Sequence, residues 1–461
     1  MIHLCLPPSP EHYLQEIGRA GRDGRAAKAI ALPLEEEFVS RHSLAHSDRL
    51  SHNQLEIVFM RLQTLVDEAL NDIPPEACVD LNADRLLVDD IHVAMPVTQT
   101  VDSSDCKEES IETIFSLLEE ESQSNTSYLS VEGYLPDAAI ITLKKRSLDK
   151  LEKFEHIAQS IAKCCVRMDT QTEQGGTAME KGFYAYSFGT YKFSIVRCAR
   201  CMGSNTEPRH VYAALRRLQE NGELELVLDT TANGRALHLK MKQDGIHLFR
   251  TKGKQDLACQ GVQSPALGDD AGAIIAKLSN QFSAKEKVGV NKVESIYEIM
   301  HHVSMQHDNV NELDYELDTD DDTNEEEGVK KSHRLKVFQK MVQAYFSNES
   351  PAQDLSTNKA PEVIKNFPMN KARHMSCLSS DVSLLMQVLS LRRQEQMPMA
   401  VHINHPNFAD YRDLCLAKIL HSIDAPRAPI LSWYSHQLWG KYRNYSFSSV
   451  VNAIKKTFDN A

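Results

Sequence analysis

Gln15-Glu16-Ile17-Gly18-Arg19-Ala20-Gly21-Arg22-Asp23-Gly24 is the stretch of this 461-residue chain on which its reading turns. An apolar run, Ile2 to Leu6, precedes it, and Pro7-Pro8-Ser9-Pro10 connects the two. A helix beginning near Pro10 would project Gln15, Arg19 and Arg22 to one side, at spacings of four and three. Gly18, Gly21 and Gly24 keep that surface low, so another backbone or a nucleotide can come close. Two guanidinium groups spaced in this way present planar forks suited to phosphate oxygens. That is the chemistry of an arginine finger, which stabilises charge on a transferring γ-phosphoryl group and contributes about 10³–10⁵ in rate. A glycine-rich loop on a solvated basic helix is the plainer account, but the ten-residue string is far more specific than a lone GxG.

The string resembles motif VI of superfamily-two helicases, in the QExGRAGRDG form of the RecQ family of ATP-dependent DNA helicases. The resemblance implies that Arg22 is the finger and Arg19 a second phosphate or interlobe contact. Gln15 becomes an adenosine-side or motor-coupling contact, and Ile2–Leu6 a strand of the second RecA-like lobe. It implies 3′ to 5′ unwinding of DNA in repair, recombination and replication. ATP and Mg would serve the complete motor only, and replication or repair proteins would join DNA as partners. The location implied is the nucleus, with the cytoplasm as alternative.

A RecQ motor also needs a GxxxxGK[ST] phosphate loop and a DExH motif ahead of motif VI, and this sequence has neither. Gly253-Lys254 is followed by Gln255, which supplies no hydroxyl for magnesium. Leu86-Leu87-Val88-Asp89-Asp90-Ile91-His92 imitates a strand running into DExH, but it follows motif VI. A strand end with solvated acids explains it better. The expectation is a chain that begins inside a domain and is inactive as an ATPase by itself. The alternative is a stand-alone, non-enzymatic DNA-binding or scaffold module.

The far end narrows the resemblance to the Rothmund–Thomson-type branch of the family. Ala417, Ile419, His421 and Ile423, then Pro426 and Pro429, precede Trp439-Gly440-Lys441-Tyr442 and Phe447. Trp439 and Tyr442 can equally be core aromatics.

The formal charge of −13 would be unusual for a DNA-binding protein, but its source is local. Asn311 to Glu327 holds ten acidic residues and no basic one, and taking these away leaves −3. Such a run stays solvated, so residues 309–329 are expected to be mobile. No apolar run approaches the roughly 20 residues of a membrane span. Ten cysteines scattered through the chain read as free thiols.

The fold class expected is an α/β remnant of a RecA-like lobe, then a mixed α+β, winged-helix-like part, then an all-α C-terminal domain. Residues 1–33 form the lobe end with motif VI, and 34–146 a helical adapter with a mixed α/β module. Residues 147–280 form the winged-helix-like module, 281–330 an acidic disordered linker, and 331–461 the helical domain. Within 34–146, Leu55, Val58, Phe59, Leu62, Leu65, Val66 and Leu70 mark a helix, and Tyr128 to Leu143 reads as a hairpin turning at Gly133 and Pro136.

Phe193 to Gly203 reads as a helix, and Pro208 to Asn221 as a second with proline in its first turn. Glu223–Leu228 and Ala236–Met241 then suggest a hairpin around Asn233-Gly234, a strong turn signal. Helix, turn, helix and two-stranded wing is the winged-helix order. On the second helix Val211, Ala214, Leu215 and Leu218 point to a core, while Arg209, Tyr212, Arg216 and Gln219 share the opposite side and suit DNA. Use of the module for packing alone, with solvated arginines, is the competing account. Zinc is not expected: Cys78 and Cys106 lack partners at ligand spacing, and Cys198 and Cys201 read as two small apolar residues one turn apart.

Overall fold

A computed structural model describes residues 1–20, 22, 27–32, 34–72, 79–82, 85–87, 90–121, 127–168, 189–203, 206–250, 268–305, 337–347, 377–392, 408–426 and 433–459. In chain order the elements are β1 (Ile2–His3), α1 (Pro10–Ile17), β2 (Ile30–Ala31), α2 (Glu35–Ala45), α3 (His52–Asp72), β3 (Val79–Asn82), β4 (Arg85–Leu87) and β5 (Ile91–Pro96). Next come α4 (Val97–Ser104), α5 (Glu108–Glu121), β6 (Leu129–Pro136), β7 (Ala138–Leu143), α6 (Leu148–Leu151), α7 (His156–Cys164), β8 (Val166–Arg167) and β9 (Thr190–Ser194). The rest are α8 (Ile195–Met202), α9 (Pro208–Glu220), β10 (Leu224–Leu228), β11 (Arg235–Met241), α10 (Gln243–Phe249), α11 (Asp269–Met305), α12 (337–347), α13 (Leu378–Arg392), α14 (Phe408–Leu420) and α15 (Phe447–Asp459). The fold is mixed α and β, mostly helical, with small sheets. Among the described residues no helix is long and apolar enough to cross a membrane.

The chain divides into two compact units. Met1–Arg49, Gln281–Asn404 and Arg412–Ala461 make the first. Here β1 pairs in parallel with β2 across α1, Ile2 opposite Ile30 and His3 opposite Ala31. Leu6, Phe38, Val39, Val293 and Ile296 form the core beneath, with Tyr13 and Tyr297 packed against it. Because Phe282, Val293, Ile296 and Ile299 are buried, α11 stays helical to Met305. Residues 281–305, expected to belong to the disordered linker, are therefore ordered by an apolar stripe the charge count overlooks; 309–329 lie outside the described residues. Nearer the C-terminus Tyr442 is buried and donates to Asp381 Oδ2 at 2.6 Å, while Trp439 is half-buried and Trp433 is the enclosed tryptophan.

Leu50–Asn280 with His405–Tyr411 makes the second unit. Its sheets run β5-β11-β6 and β10-β7-β9-β8, all antiparallel, beside the β3–β4 pair. Neither expected hairpin forms. β10 pairs with β7, whereas β11 enters the other sheet between β5 and β6. The burial patterns explain this: β11 is buried almost continuously, as a central strand must be. β10 alternates Leu224, Leu226 and Leu228 with Glu225 and Val227, which suits an edge. Gly234 serves close packing, since a Cβ there would lie 2.2 Å from the Asp229 carbonyl oxygen.

Likewise β6 and β7 part at Asp137 into different sheets. Gly133, at φ +104°, marks a bulge within β6, not a turn. Asp137 joins the sheets: its N–H donates to Gly234 O at 2.9 Å and its carbonyl accepts from Ile195 N at 2.7 Å. Its carboxylate accepts from Ser194 Oγ and Val196 N, both at 2.9 Å. Burial pushes the Asp137 carboxyl up, against the pull of these donors.

Candidate nucleic-acid interface

The predicted site residues fall in two places, α1 and the turn after it in the first unit and α9 in the second. Ser9 caps α1, its Oγ accepting from His12 N at 3.3 Å, and Pro10 opens the helix where a missing N–H costs nothing. Tyr13 faces inward onto the Phe38 cluster. Glu11 ties α1 to α11 and α12, accepting from Lys292 Nζ at 3.1 Å and from the Tyr345 hydroxyl at 3.0 Å. Burial alone would raise the Glu11 carboxyl, but hydrogen bonds from Ser9, its own N–H, Lys292 and Tyr345 bring it to about 2.

α1 ends at Ile17, short of the expected arginine face. At Arg19 and Ala20 the bonding tightens to three-residue steps, Arg19 N to Glu16 O at 3.1 Å and Ala20 N to Ile17 O at 2.9 Å. Glycines at 18 and 21 disfavour a further helical turn. Gln15 is on the helix, Arg19 in the tightened turn and Arg22 beyond it, so one helical face does not carry all three. All three are exposed, and neither arginine pairs with a described carboxylate. Gly21, Asp23 and Gly24 lie outside the described residues.

α9 begins at Pro208 and buries Val211, Leu215 and Leu218. These join Ile157, Ile161, Cys198, Ala199, Leu224 and neighbours in a core shared by α7, α8, α9 and the β10-β7-β9 strands. Phe193 and Ser194, expected in the helix before it, end β9; Ser194 caps α8 by accepting from Arg197 N at 3.0 Å. Arg209, Arg216 and Gln219 are exposed. Arg209 is engaged by its neighbour Glu207, Nε to Oε2 at 2.6 Å. Arg216 pairs with no described residue. Tyr212 stands apart, half-buried, its hydroxyl donating to Pro136 O at 2.7 Å. Burial, with the charge of Asp137, pushes its phenol up to about 12.

Several contributors escaped the helix-face reading. Lys145 Nζ donates to Asn221 O at 2.5 Å, placing a cation at the negative end of α9. Arg217 pairs with Glu155 at 2.6 Å, and Arg146 with Glu223 at 2.9 Å. The three consecutive basic residues at 144–146 were the available signal. Arg216, Gln219 and this basic turn can all donate to phosphate oxygens.

Cys198 is buried on α8, and the Cys164 thiol of α7 lies close to it and to Cys201. Thiol contact and burial push Cys164 and Cys201 above their ordinary range. Among the described residues no group of three or more His, Cys, Asp or Glu has the arrangement of a metal site. Asp90, from the DExH-like string, pairs with Lys242 at 2.7 Å and Lys240 at 3.4 Å; Asp89 lies outside the described residues.

No protein-family model matches the chain. It is 30% identical over 140 residues to the ATP-dependent DNA helicase Q4 of Mus musculus, a match covering 26% of this chain and 11% of that protein. It is 48% identical over 48 residues to the ATP-dependent DNA helicase Q-like 5 of Arabidopsis thaliana, covering 10% of this chain and 5% of that protein. The chain thus spans no more than 11% of the length of these curated relatives. Parts of it are similar to DNA helicases of the RecQ family.

Proposed function

We propose that this chain is the C-terminal portion of an ATP-dependent 3′ to 5′ DNA helicase of the RecQ family, acting in DNA repair, recombination and replication. The β1-α1-β2 piece is the end of a RecA-like lobe, and the observation that carries this reading is its uncovered sheet. Parallel strands are ordinarily buried on both faces. Here Ile2, Leu4, Leu32 and Leu34 are between 56% and 68% exposed on and beside two parallel strands. Such a surface fits further strands of a larger sheet. Arg19 and Arg22, exposed at the end of α1, fit the phosphate side of a nucleotide site. ATP with Mg would bring the transferring phosphoryl group; Arg22 would donate to its oxygens and Arg19 would hold the neighbouring phosphate or lobe. Acidic magnesium ligands and a phosphate loop are not supplied by residues of this sequence.

The second unit steers the motor on DNA. α7, β9, α8, α9 and β10 follow winged-helix order, with β7 taking the strand position that β11 was expected to fill. Arg216, Gln219 and Arg209 on α9 are the DNA-facing donors. The stand-alone DNA-binding reading draws support from the core beneath α9, which closes within residues 139–228.

Fusing the chain in frame behind a RecQ motor half carrying a phosphate loop and DExH separates the two. The fusion should hydrolyse ATP in a DNA-stimulated way, whereas the chain alone should not. Arg22→Ala in the fusion should cut kcat by about 10³ or more while nucleotide still binds. Near-normal kcat in that variant would remove the finger, and DNA-stimulated turnover by the chain alone would overturn the portion reading.

A further inference from the structure

Phe154 is 72% exposed in the turn between α6 and α7, and the DNA-contact reading of α9 makes no use of it. A lone exposed phenylalanine would mean little. This one has a guanidinium set on it: Arg146 Cζ lies over the ring, 5.4 Å from its centroid. Arg146 is itself held by Glu223 at 2.9 Å. Glu155, next to Phe154 in sequence, holds Arg217 of α9 at 2.6 Å. The ring is therefore anchored beside α9.

The local charges leave cations to spare. Glu155, Glu223 and Glu225 are taken up by Arg217, Arg146 and Lys144. Lys145, Lys150, Lys153 and Arg216 pair with no described carboxylate, Lys145 using a backbone carbonyl instead. Asp149, Glu152 and, on α9, Glu220 are the acids left over, and they are fewer than these four cations. An open aromatic face backed by arginine, among unpaired cations, is the makeup of surfaces on which unpaired bases stack while the backbone follows the positive charge.

We propose that Phe154, backed by Arg146, is a stacking platform for an unpaired base of a single DNA strand running off the α9 surface. The proposal rests on α9 facing DNA, and it adds a single-strand contact that α9 itself does not provide. Arg146 occupies one face of the ring and the base takes the other. Stacking of this kind tolerates any base, so the platform selects unpaired over paired DNA and not one sequence over another.

The test uses the full chain, a twelve-nucleotide oligo-dT carrying one 2-aminopurine, a blunt duplex and an oligo-rU of equal length. Phe154→Ala should lower affinity for oligo-dT about tenfold and abolish the 2-aminopurine quenching, with duplex affinity unchanged. Phe154→Trp should keep both affinity and quenching; Phe154→Leu, apolar but without a π face, should behave as alanine does. Thermal melting of all three should match the parent, because the ring is exposed. Loss of oligo-dT binding in Phe154→Ala without duplex binding by the parent would support the platform while removing the α9 reading. Equal oligo-dT affinity in parent and Phe154→Ala, no oligo-dT binding by the parent, or a tighter grip on oligo-rU than on oligo-dT would overturn the proposal.

Discussion

Single residues set the chemistry of the first unit through burial. His421 is fully buried, its Nδ1 3.3 Å from Ser43 Oγ and its ring edge-on to Phe447. His42 of α2 and His46 just past its end complete the cluster, facing Glu294 at 3.4 Å and Glu286 at 2.5 Å, with Arg49 3.5 Å from Glu286. Burial, with the charges of His46 and His42, brings the His421 imidazole down to about 3. The unfolded chain therefore binds a proton below about pH 6.5 that the folded chain refuses until about pH 3. Stability is full above that window and falls as pH falls through it. Between pH 7 and pH 4 the loss from His421 should reach about 3 kcal/mol, and His421→Asn should flatten the dependence. Denaturant midpoints at the two pH values check this; equal losses in both proteins would show that the neutral imidazole is not the source.

At the scale of an element, α9 separates packing from its proposed DNA contacts by position. Val211, Leu215 and Leu218 hold it to the core, and Tyr212 adds a hydrogen bond to β6 through Pro136 O. Arg216 is exposed and unpaired, whereas Glu207 competes for Arg209. Arg216→Ala should therefore flatten the slope of log K against log salt on duplex DNA by about 0.9. Its stability should stay within about 0.5 kcal/mol of the parent. Adding Arg209→Ala should remove less than a further unit, because that guanidinium must first leave its carboxylate. Tyr212→Phe should do the reverse, costing about 1 kcal/mol with the slope unchanged. An unchanged slope in Arg216→Ala, measured over a salt series, would sink the DNA face.

At the scale of the whole molecule, connections between distant strands organise the second unit, and Asp137 is where its two sheets meet. Asp137→Ala would strand the Val196 N–H and the Ser194 hydroxyl, at a cost of about 1–3 kcal/mol. Amide exchange should rise on both β6 and β7 in that variant; a change confined to one sheet would mean Asp137 does not couple them. The sequence by itself placed the cores of α3, α5 and α9, though not every helix end. Leu55, Val58, Phe59, Leu62 and Val66 are buried on α3, as are Ile111, Ile114, Phe115 and Leu118 on α5, and proline opens α1 and α9. It also carried the Gln15–Gly24 string on which the proposed arginine finger rests, because that string is read from residue type within ten positions. Tertiary structure alone decided strand partnership. Asn233-Gly234 and Gly133-Pro136 look like hairpin turns, yet the glycines serve a close approach and a bulge. It alone decided the length of α11, the hydroxyl partner of Tyr212, the pairing of Arg209 and the meeting of Cys164 with Cys198. A helix closes its hydrogen bonds within four residues, so its signal is local. A strand must find partners elsewhere in the chain, and which edge it takes depends on the apolar surface the rest of the molecule offers to bury.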